Sequence, residues 1–256
     1  MTWLQQVAVL AAGIAAGGIN TIVGSGTLIT FPTLLAFGLP PVTANVSNTI
    51  GLVPGSVSGV IGYRRELEGQ RSRLLQLGTA SLLGGITGAI LLLVMPAEAF
   101  KAIVPVLIIA ALILVVVQPR LAAWVKRRRA DGDAATPEHG GPILLIAVFG
   151  TGIYGGYFGA AQGVLLLGLL GVFVHEDIQR LNAVKNVLAL IVNAVSAIIF
   201  IAIAEVNWQA VALIAIGSII GGQLGAKVGR KLPPNVLRAV IVIVGSIAVI
   251  RLLTTG

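Results

Sequence analysis

An ionisable or amide side chain inside an apolar stretch is costly in a membrane and is retained where it binds something or meets a polar partner. This sequence gathers such residues around two glycine-containing interruptions, Asn20-Thr21-Ile22-Val23-Gly24-Ser25-Gly26-Thr27 and Tyr154-Gly155-Gly156-Tyr157-Phe158-Gly159-Ala160-Ala161-Gln162-Gly163. A helix broken there exposes backbone N–H groups, and its positive dipole end can hold an anion without placing a full charge in the bilayer. The same glycines would also let helices approach closely, so the residues alone leave both readings open. A second group follows each interruption: Asn45, Ser47, Asn48 and Thr49, then Asn182, Lys185, Asn186 and Asn193. Lys185 is the sharpest of these. A lysine several residues inside an apolar segment costs about 2.5 to 3.5 kcal/mol, so it either faces a cavity or partner or snorkels to the cytoplasmic surface near Arg180. Asn48 and Asn186 could join helices or orient a ligand in a shared pocket. The candidate substrate-binding set is Asn20, Gly24, Ser25, Gly26, Thr27, Asn45, Asn48, Tyr157, Gly159, Gln162, Gly163, Lys185 and Asn186.

Other chemistry finds little support. No Asp or Glu lies deep in an apolar segment, since Glu98, Glu176, Asp177 and Glu205 fall near segment ends, so a carboxylate relay or cation-binding core is not expected. His139 and His175 have no surrounding ligand set, and the chain has no cysteine for a disulfide, a thiolate metal site or a nucleophile. The glycine patterns match neither a phosphate loop nor a dinucleotide fingerprint. No cofactor, metal or catalytic residue is therefore expected.

The elements that position these residues are membrane helices. The 256 residues are 57% hydrophobic and 10% charged, with a mean hydropathy of +1.01, outside the range of soluble domains. Apolar runs cover 4–23, 28–37, 42–63, 74–94 and 100–117, and the series begins again with 143–158, 164–174, 178–204, 208–228 and 236–252. The second run of each set is too short to span alone, so it pairs with the first as a broken or hairpin helix. Met1 to Leu10 carries no Lys or Arg, which favours a retained first membrane segment over a cleaved signal peptide.

The two series overlay. Leu83-Gly84-Gly85-Ile86-Thr87-Gly88-Ala89 matches Ile220-Gly221-Gly222-Gln223-Leu224-Gly225-Ala226 at an offset of 137, and Met95-Pro96 falls on Leu232-Pro233. At an offset of 138, Ser47-Asn48 falls on Lys185-Asn186. The expected domains are a first transmembrane repeat over 1–117, a basic cytoplasmic linker over 118–141 and a second repeat over 142–256.

The net charge of +8 comes mainly from short gaps, with Arg64, Arg65, Arg71 and Arg73 in one and Arg120, Lys126, Arg127, Arg128 and Arg129 in another. Cytoplasmic loops explain these better than nucleic-acid binding, and the linker's basic run could also touch anionic lipid. Placing both gaps inside gives each half an odd number of crossings, hence inverted repeats with both termini outside. Arg230 and Lys231 then also lie inside and Glu205-Val206-Asn207 outside, whereas Lys101 falls on the disfavoured side.

At these same residues the sequence resembles the TauE/SafE family of sulfite exporters and related organosulfur-anion permeases. The stretch from Ala15 through Gly24-Ser25-Gly26-Thr27 to Phe31-Pro32 is similar to that family's amino-terminal glycine motif leading to a proline. Ala44-Asn45-Val46-Ser47-Asn48-Thr49 and Asn182-Ala183-Val184-Lys185-Asn186 resemble its paired Asn-containing motifs, so the likeness covers nearly the whole chain. The resemblance implies movement of sulfite, a sulfonate, thiosulfate or a similar anion, with protons as a coupling ion, in a multi-pass protein of the bacterial inner membrane. Where relatives carry a run of glycines, this chain has Gly24-Ser25-Gly26-Thr27 and Ala160-Ala161-Gln162-Gly163, which adds hydroxyl and amide donors.

The expected fold is thus all-α, a polytopic membrane protein of two inverted five-segment repeats with broken helices enclosing one site for a small anionic substrate. An anion channel would share the same donors, and a membrane-embedded enzyme lacks a nucleophile with a neighbouring base. A reporter fused after Arg129 should be cytoplasmic and one fused at the carboxyl terminus outside, and finding both on one side would remove the inverted arrangement.

Overall fold

A computed structural model of the chain describes residues 1–130 and 141–228 together with Ala239, Val242, Ile243 and Ser246. The described residues form helices and no strand: α1 (Trp3–Ile22), α2 (Thr27–Ala36), α3 (Pro41–Gly62), α4 (Arg71–Val94), α5 (Ala97–Ala130), α6 (Gly141–Tyr157), α7 (Gln162–Phe173), α8 (Ile178–Ile203) and α9 (Trp208–Val228). A short 3-10 turn, Arg64–Leu67, links α3 to α4. The expected broken pairs are present as α1/α2 and α6/α7. The tenth apolar run except Ala239, Val242, Ile243 and Ser246, the Arg230-Lys231 pair, Leu232-Pro233, His139 and linker positions 131–140 lie outside the described residues. The first part of the linker, Gln118 to Ala130, continues α5 as helix.

Local chemistry sets these boundaries. Thr2 and Gln5 form a reciprocal capping box at the start of α1, with the Thr2 N–H donating to Gln5 Oε1 at 2.9 Å. Asp177 accepts from the Gln179 N–H at 2.8 Å to start α8, and Asn207 accepts from the Ala210 N–H at 2.9 Å to start α9. Pro41 occupies the first turn of α3, where its missing N–H costs nothing.

Among the described residues, α1, α4, α5, α8 and α9 are long and apolar enough to cross a membrane. The 22-residue α3 is long enough, but Asn45, Ser47, Asn48, Thr49, Ser56 and Ser58 lower its apolarity. These side chains are all buried, so its polar surface faces protein rather than lipid. Large apolar residues such as Val94, Val106, Ile198 and Ile203 are exposed on the outside of the bundle, where lipid tails would cover them.

Small residues hold the bundle together. Helices in lipid gain little from burying apolar surface against each other, so association depends on close contact between backbones. A Cβ on Gly13 would meet Ile214 at 3.1 Å, and one on Gly17 would collide with the Ser218 carbonyl, which places α1 alongside α9 and parallel to it. Gly84 against Gly152 and Gly88 against Ile153 do the same for α4 and α6. The glycines of the repeated Gly-Gly-x-x-Gly-Ala motif therefore serve as packing surfaces. Helix α3 also packs on α9, and α4 on α8. Helices α3 and α8 are antiparallel: Tyr63 clusters with Ala183 at one end, and at the other the Asn207 N–H donates to Ser47 Oγ at 2.9 Å.

These contacts also fix the register between the halves. Gly85 packs on Val192 and Val195, whereas its counterpart Gly222 packs on Gly55 and Ser58, an offset of 137 for the third segments as well. Helices α3 and α8 begin at Pro41 and Ile178, again 137 apart. The expected overlay of Asn48 on Asn186 is thus corrected by one residue. Asn45 corresponds to Asn182 and Asn48 to Lys185, because helix packing, rather than matched asparagines, sets the alignment.

Candidate functional site: two broken helices meeting at the centre

The two interruptions touch. After α1 ends, Gly24 takes a φ of +87°, a conformation that favours glycine, and Gly159 takes +71° after α6. The Gly163 N–H donates to the Gly24 carbonyl at 3.1 Å, and a Cβ on either glycine would fall on the Cα of the other. At this crossing the two hairpins lie backbone to backbone. Phe31 stacks edge-on against Phe158 at 5.2 Å, and Phe100 packs on Tyr157 and Phe158, filling the space beside it.

Each broken helix leaves carbonyls at its C-terminal end, and the opposite half satisfies them. Asn45 of α3 donates through Nδ2 to the Tyr157 carbonyl at 3.0 Å, while its counterpart Asn182 of α8 donates to the Thr21 carbonyl at 3.3 Å. Lys185 adds to the second arrangement. Its Nζ donates to the carbonyls of Asn20 at 3.1 Å and Thr21 at 3.2 Å, and Asn186 donates to Thr21 at 3.3 Å. Lys185 is 0% exposed and forms no ion pair among the described residues. Of the two expectations for this residue, snorkelling to the surface is the one the geometry removes. The negative end of the α1 dipole and two carbonyls take the place of water around the ammonium.

Asn48, which corresponds to Lys185, is engaged within its own half. Its Nδ2 donates to Thr27 Oγ1 at 3.2 Å, and the Thr30 hydroxyl donates to its Oδ1. Thr27 and Thr30 lie in the first turn of α2, so Asn48 anchors the start of that helix. Asn20 is half-buried and reaches Ser56 Oγ at 3.5 Å, and Gly26 sits against the Ala16 carbonyl and the Asn20 side chain.

Several buried polar atoms around the crossing have no hydrogen-bond partner among the described residues. Ser25 Oγ, Gln162 Nε2 and Tyr157 Oη are possible donors, and Asn45 Oδ1 and Asn182 Oδ1 are acceptors. Their residues are no more than 7% exposed. Buried polar groups are nearly always satisfied, so a concentration of orphans beside two helix N-termini marks a place where a polar ligand would complete the bonding. Gly163, by contrast, has already spent its N–H on Gly24.

Of the sequence candidates, the interruptions, Asn45, Lys185 and Asn186 converge on the crossing, and Asn48 supports it from α2. Sequence reasoning missed Thr30 and the Thr21 carbonyl. Thr30 carried a signal, one helical turn after Thr27 on the same face, whereas a backbone acceptor leaves no mark in a sequence.

A multi-pass helical bundle with interrupted helices meeting at its centre defines a membrane transporter. Residues 9–252 match the family model described as "Sulfite exporter TauE/SafE", and the chain belongs to that family. It is 28% identical over 246 residues to "Probable membrane transporter protein YfcA" of Escherichia coli (strain K12), covering 93% of this chain and 86% of that protein. It is 26% identical to "Probable membrane transporter protein ORF9" of a Sinorhizobium species, covering 94% of this chain and 90% of that one. A "Probable membrane transporter protein" of Haemophilus influenzae is also 26% identical, over 90% of this chain and 88% of its own length. No solved structure matches. The chain is an integral multi-pass protein, and its relatives are bacterial, for which an all-helical span points to the plasma membrane rather than the barrel-bearing outer one.

The crossing yields a stability test. Gly24→Ala and Gly163→Ala should each lower the thermal midpoint in detergent, corresponding to a loss of about 1 to 3 kcal/mol from overpacking, with added backbone strain at Gly24. Gly150→Ala, where a Cβ meets nothing within 4 Å, should leave the midpoint unchanged. Equal midpoints for all three variants would contradict the backbone contact.

Proposed function

We propose that this transporter moves a small anion, of the sulfite, sulfonate or thiosulfate class, by alternating access around the crossing of its two broken helices. The observation that carries this reading is Lys185, a fully buried lysine with no carboxylate partner among the described residues. A helix C-terminus carries about half a negative elementary charge, so the α1 end offsets only part of the ammonium and favours an anion beside it. The family membership supports the same class of solute.

The orphan donors give that anion its oxygen contacts. Ser25, Gln162 and Tyr157 offer two hydroxyls and an amide, and the backbone N–H groups of Ser25 to Thr27 and of Ala160 and Ala161 lie next to helix starts, whereas those of Gly24, Gly159 and Gln162 already donate to the carbonyls of Ile19, Tyr154 and Gly159. Asn186 and Asn182 hold the Thr21 carbonyl end in place, Asn45 does the equivalent work at the Tyr157 carbonyl, and Asn48 fixes the start of α2. Protons are proposed as the coupling ion, as the family resemblance implies.

Inverted repeats provide the mechanical basis. The antiparallel α3 and α8, with matched partners at an offset of 137, are what a two-fold axis in the membrane plane would produce. Rocking one half against the other then exposes the same crossing to either side. A channel would conduct without a closed intermediate, so counterflow by sulfite or a sulfonate in proteoliposomes separates the two.

Lys185→Ala should weaken binding of the anion by about tenfold or more, and Lys185→Arg should recover only part of it because a planar fork replaces a compact point charge. Binding to purified variants, read beside a thermal midpoint to confirm folding, checks this. Unchanged affinity in folded Lys185→Ala would remove the ammonium from the site.

A further inference from the structure

The inner and outer ends of the bundle differ in how they are held. At the end bearing the basic loops, Glu176 bridges Arg180 at 3.0 Å and Arg73 at 3.5 Å. Arg180 also donates through Nη2 to the Glu68 carbonyl at 3.0 Å, and Gln70 donates through Nε2 to the Arg180 carbonyl at 3.2 Å. Arg73 in turn donates to Gln70 Oε1. Gln70 and Arg73 are buried at 2% and 7% exposure. The network therefore ties the α3–α4 turn of the first half to the α7–α8 turn of the second. Lys185 lies five residues further along α8, about 7 to 8 Å deeper.

The register of 137 identifies the corresponding positions at the other end. Thr43 stands where Arg180 does, Glu205 where Glu68 does, Leu39 where Glu176 does and Ala210 where Arg73 does. Glu68 and Glu205 are the same residue, and Asn207 stands where Gln70 does. The long side chain that spans the two halves at the inner end is thus a threonine at the outer end, and its ionic supports are apolar. A cavity of about 580 Å³ opens at that place, lined by Thr43, Glu205, Met95, Glu98 and Lys101 among others. No ion pair joins Lys101 to either glutamate among the described residues.

We propose that the Arg180 bridge is the inner gate of the transport route and that the cavity between Thr43 and Glu205 is its outer vestibule, so that the structure is the outward-open state. This rests on the inverted-repeat reading given above. A gate must join both halves, lie between water and the site, and be breakable at modest cost; a partly exposed charged network meets all three conditions, and a packed apolar plug would not reopen as readily. The positively charged Lys101, misplaced for topology, belongs to the vestibule wall.

The chain contains no cysteine, so single introduced thiols report access without background. Met95→Cys should react with a membrane-impermeant thiol reagent added outside, and Ala183→Cys, buried behind the bridge, should stay unreactive in inside-out vesicles. Adding Arg180→Gln or Glu176→Gln should raise Ala183→Cys labelling from the inside by about tenfold or more, the size of a substantial population shift. Thr43→Arg, which restores at the outer end the reach that Arg180 has inside, should protect Met95→Cys while leaving the inner network intact. Unchanged Ala183→Cys labelling in both gate variants, at normal membrane levels and thermal midpoint, would overturn the gate. Unprotected Met95→Cys in the Thr43→Arg background would overturn the vestibule, and Met95→Cys labelled only from the inside would overturn the orientation. Labelling is read without any solute, so a failure of the Lys185 binding test leaves the gate standing.

Discussion

A carbonyl or N–H left unpaired in hydrocarbon costs several kcal/mol, and a helix that stops partway through a membrane creates several such groups at once. The centre of this protein is organised around that cost. The α1 end gathers Lys185, Asn182 and Asn186 onto its last carbonyls, and the α6 end receives Asn45. Once those groups are fixed, α3 and α8 can only lie against the two breaks, and their polar faces must turn inward. The buried amide-rich α3, whose composition is too polar for lipid, follows from the same requirement.

Using a lysine where an asparagine would serve changes what the site can do. Asn45 and Asn182 perform the same capping task on opposite halves, and Asn48 shows that the Lys185 position can hold an amide. The ammonium therefore adds charge to an arrangement that amides alone could satisfy. On the proposed function, that asymmetry would give one half the electrostatic component of the site and the other a neutral frame.

Much of the fold was legible in the sequence, because apolar length and glycine punctuation are one-dimensional signals. The breaks at Gly24 and Gly159 and the starts of α3, α8 and α9 fall where the pattern placed them, within a residue, whereas α4 begins at Arg71 and takes in Arg71 and Arg73, which the pattern left in the loop. Two things were not legible. The direction of the Lys185 side chain depends on the carbonyls of a helix more than 160 residues earlier, and no local window contains both. The one-residue register of α3 on α8 is set by Gly85 and Gly222 meeting different neighbours, whereas the paired asparagines point to an alignment one residue away. The repeated glycine motif was visible as a repeat, but only the paired helices showed that it packs α4 on α6 and α1 on α9.

That pairing has a bearing on biogenesis. The face of α1 that carries Gly13 and Gly17 is completed by Ile214 and Ser218, so α1 is synthesised long before its principal neighbour. Contacts this distant in sequence close late and slowly. Until α9 inserts, the α1 backbone must be shielded by lipid or by a membrane chaperone, and the broken end at Thr21 lacks α8 for most of synthesis. Assembly of the central crossing thus waits for α6, α7 and α8, and a chain stalled before them would carry a helix whose glycine face and broken end are both uncovered.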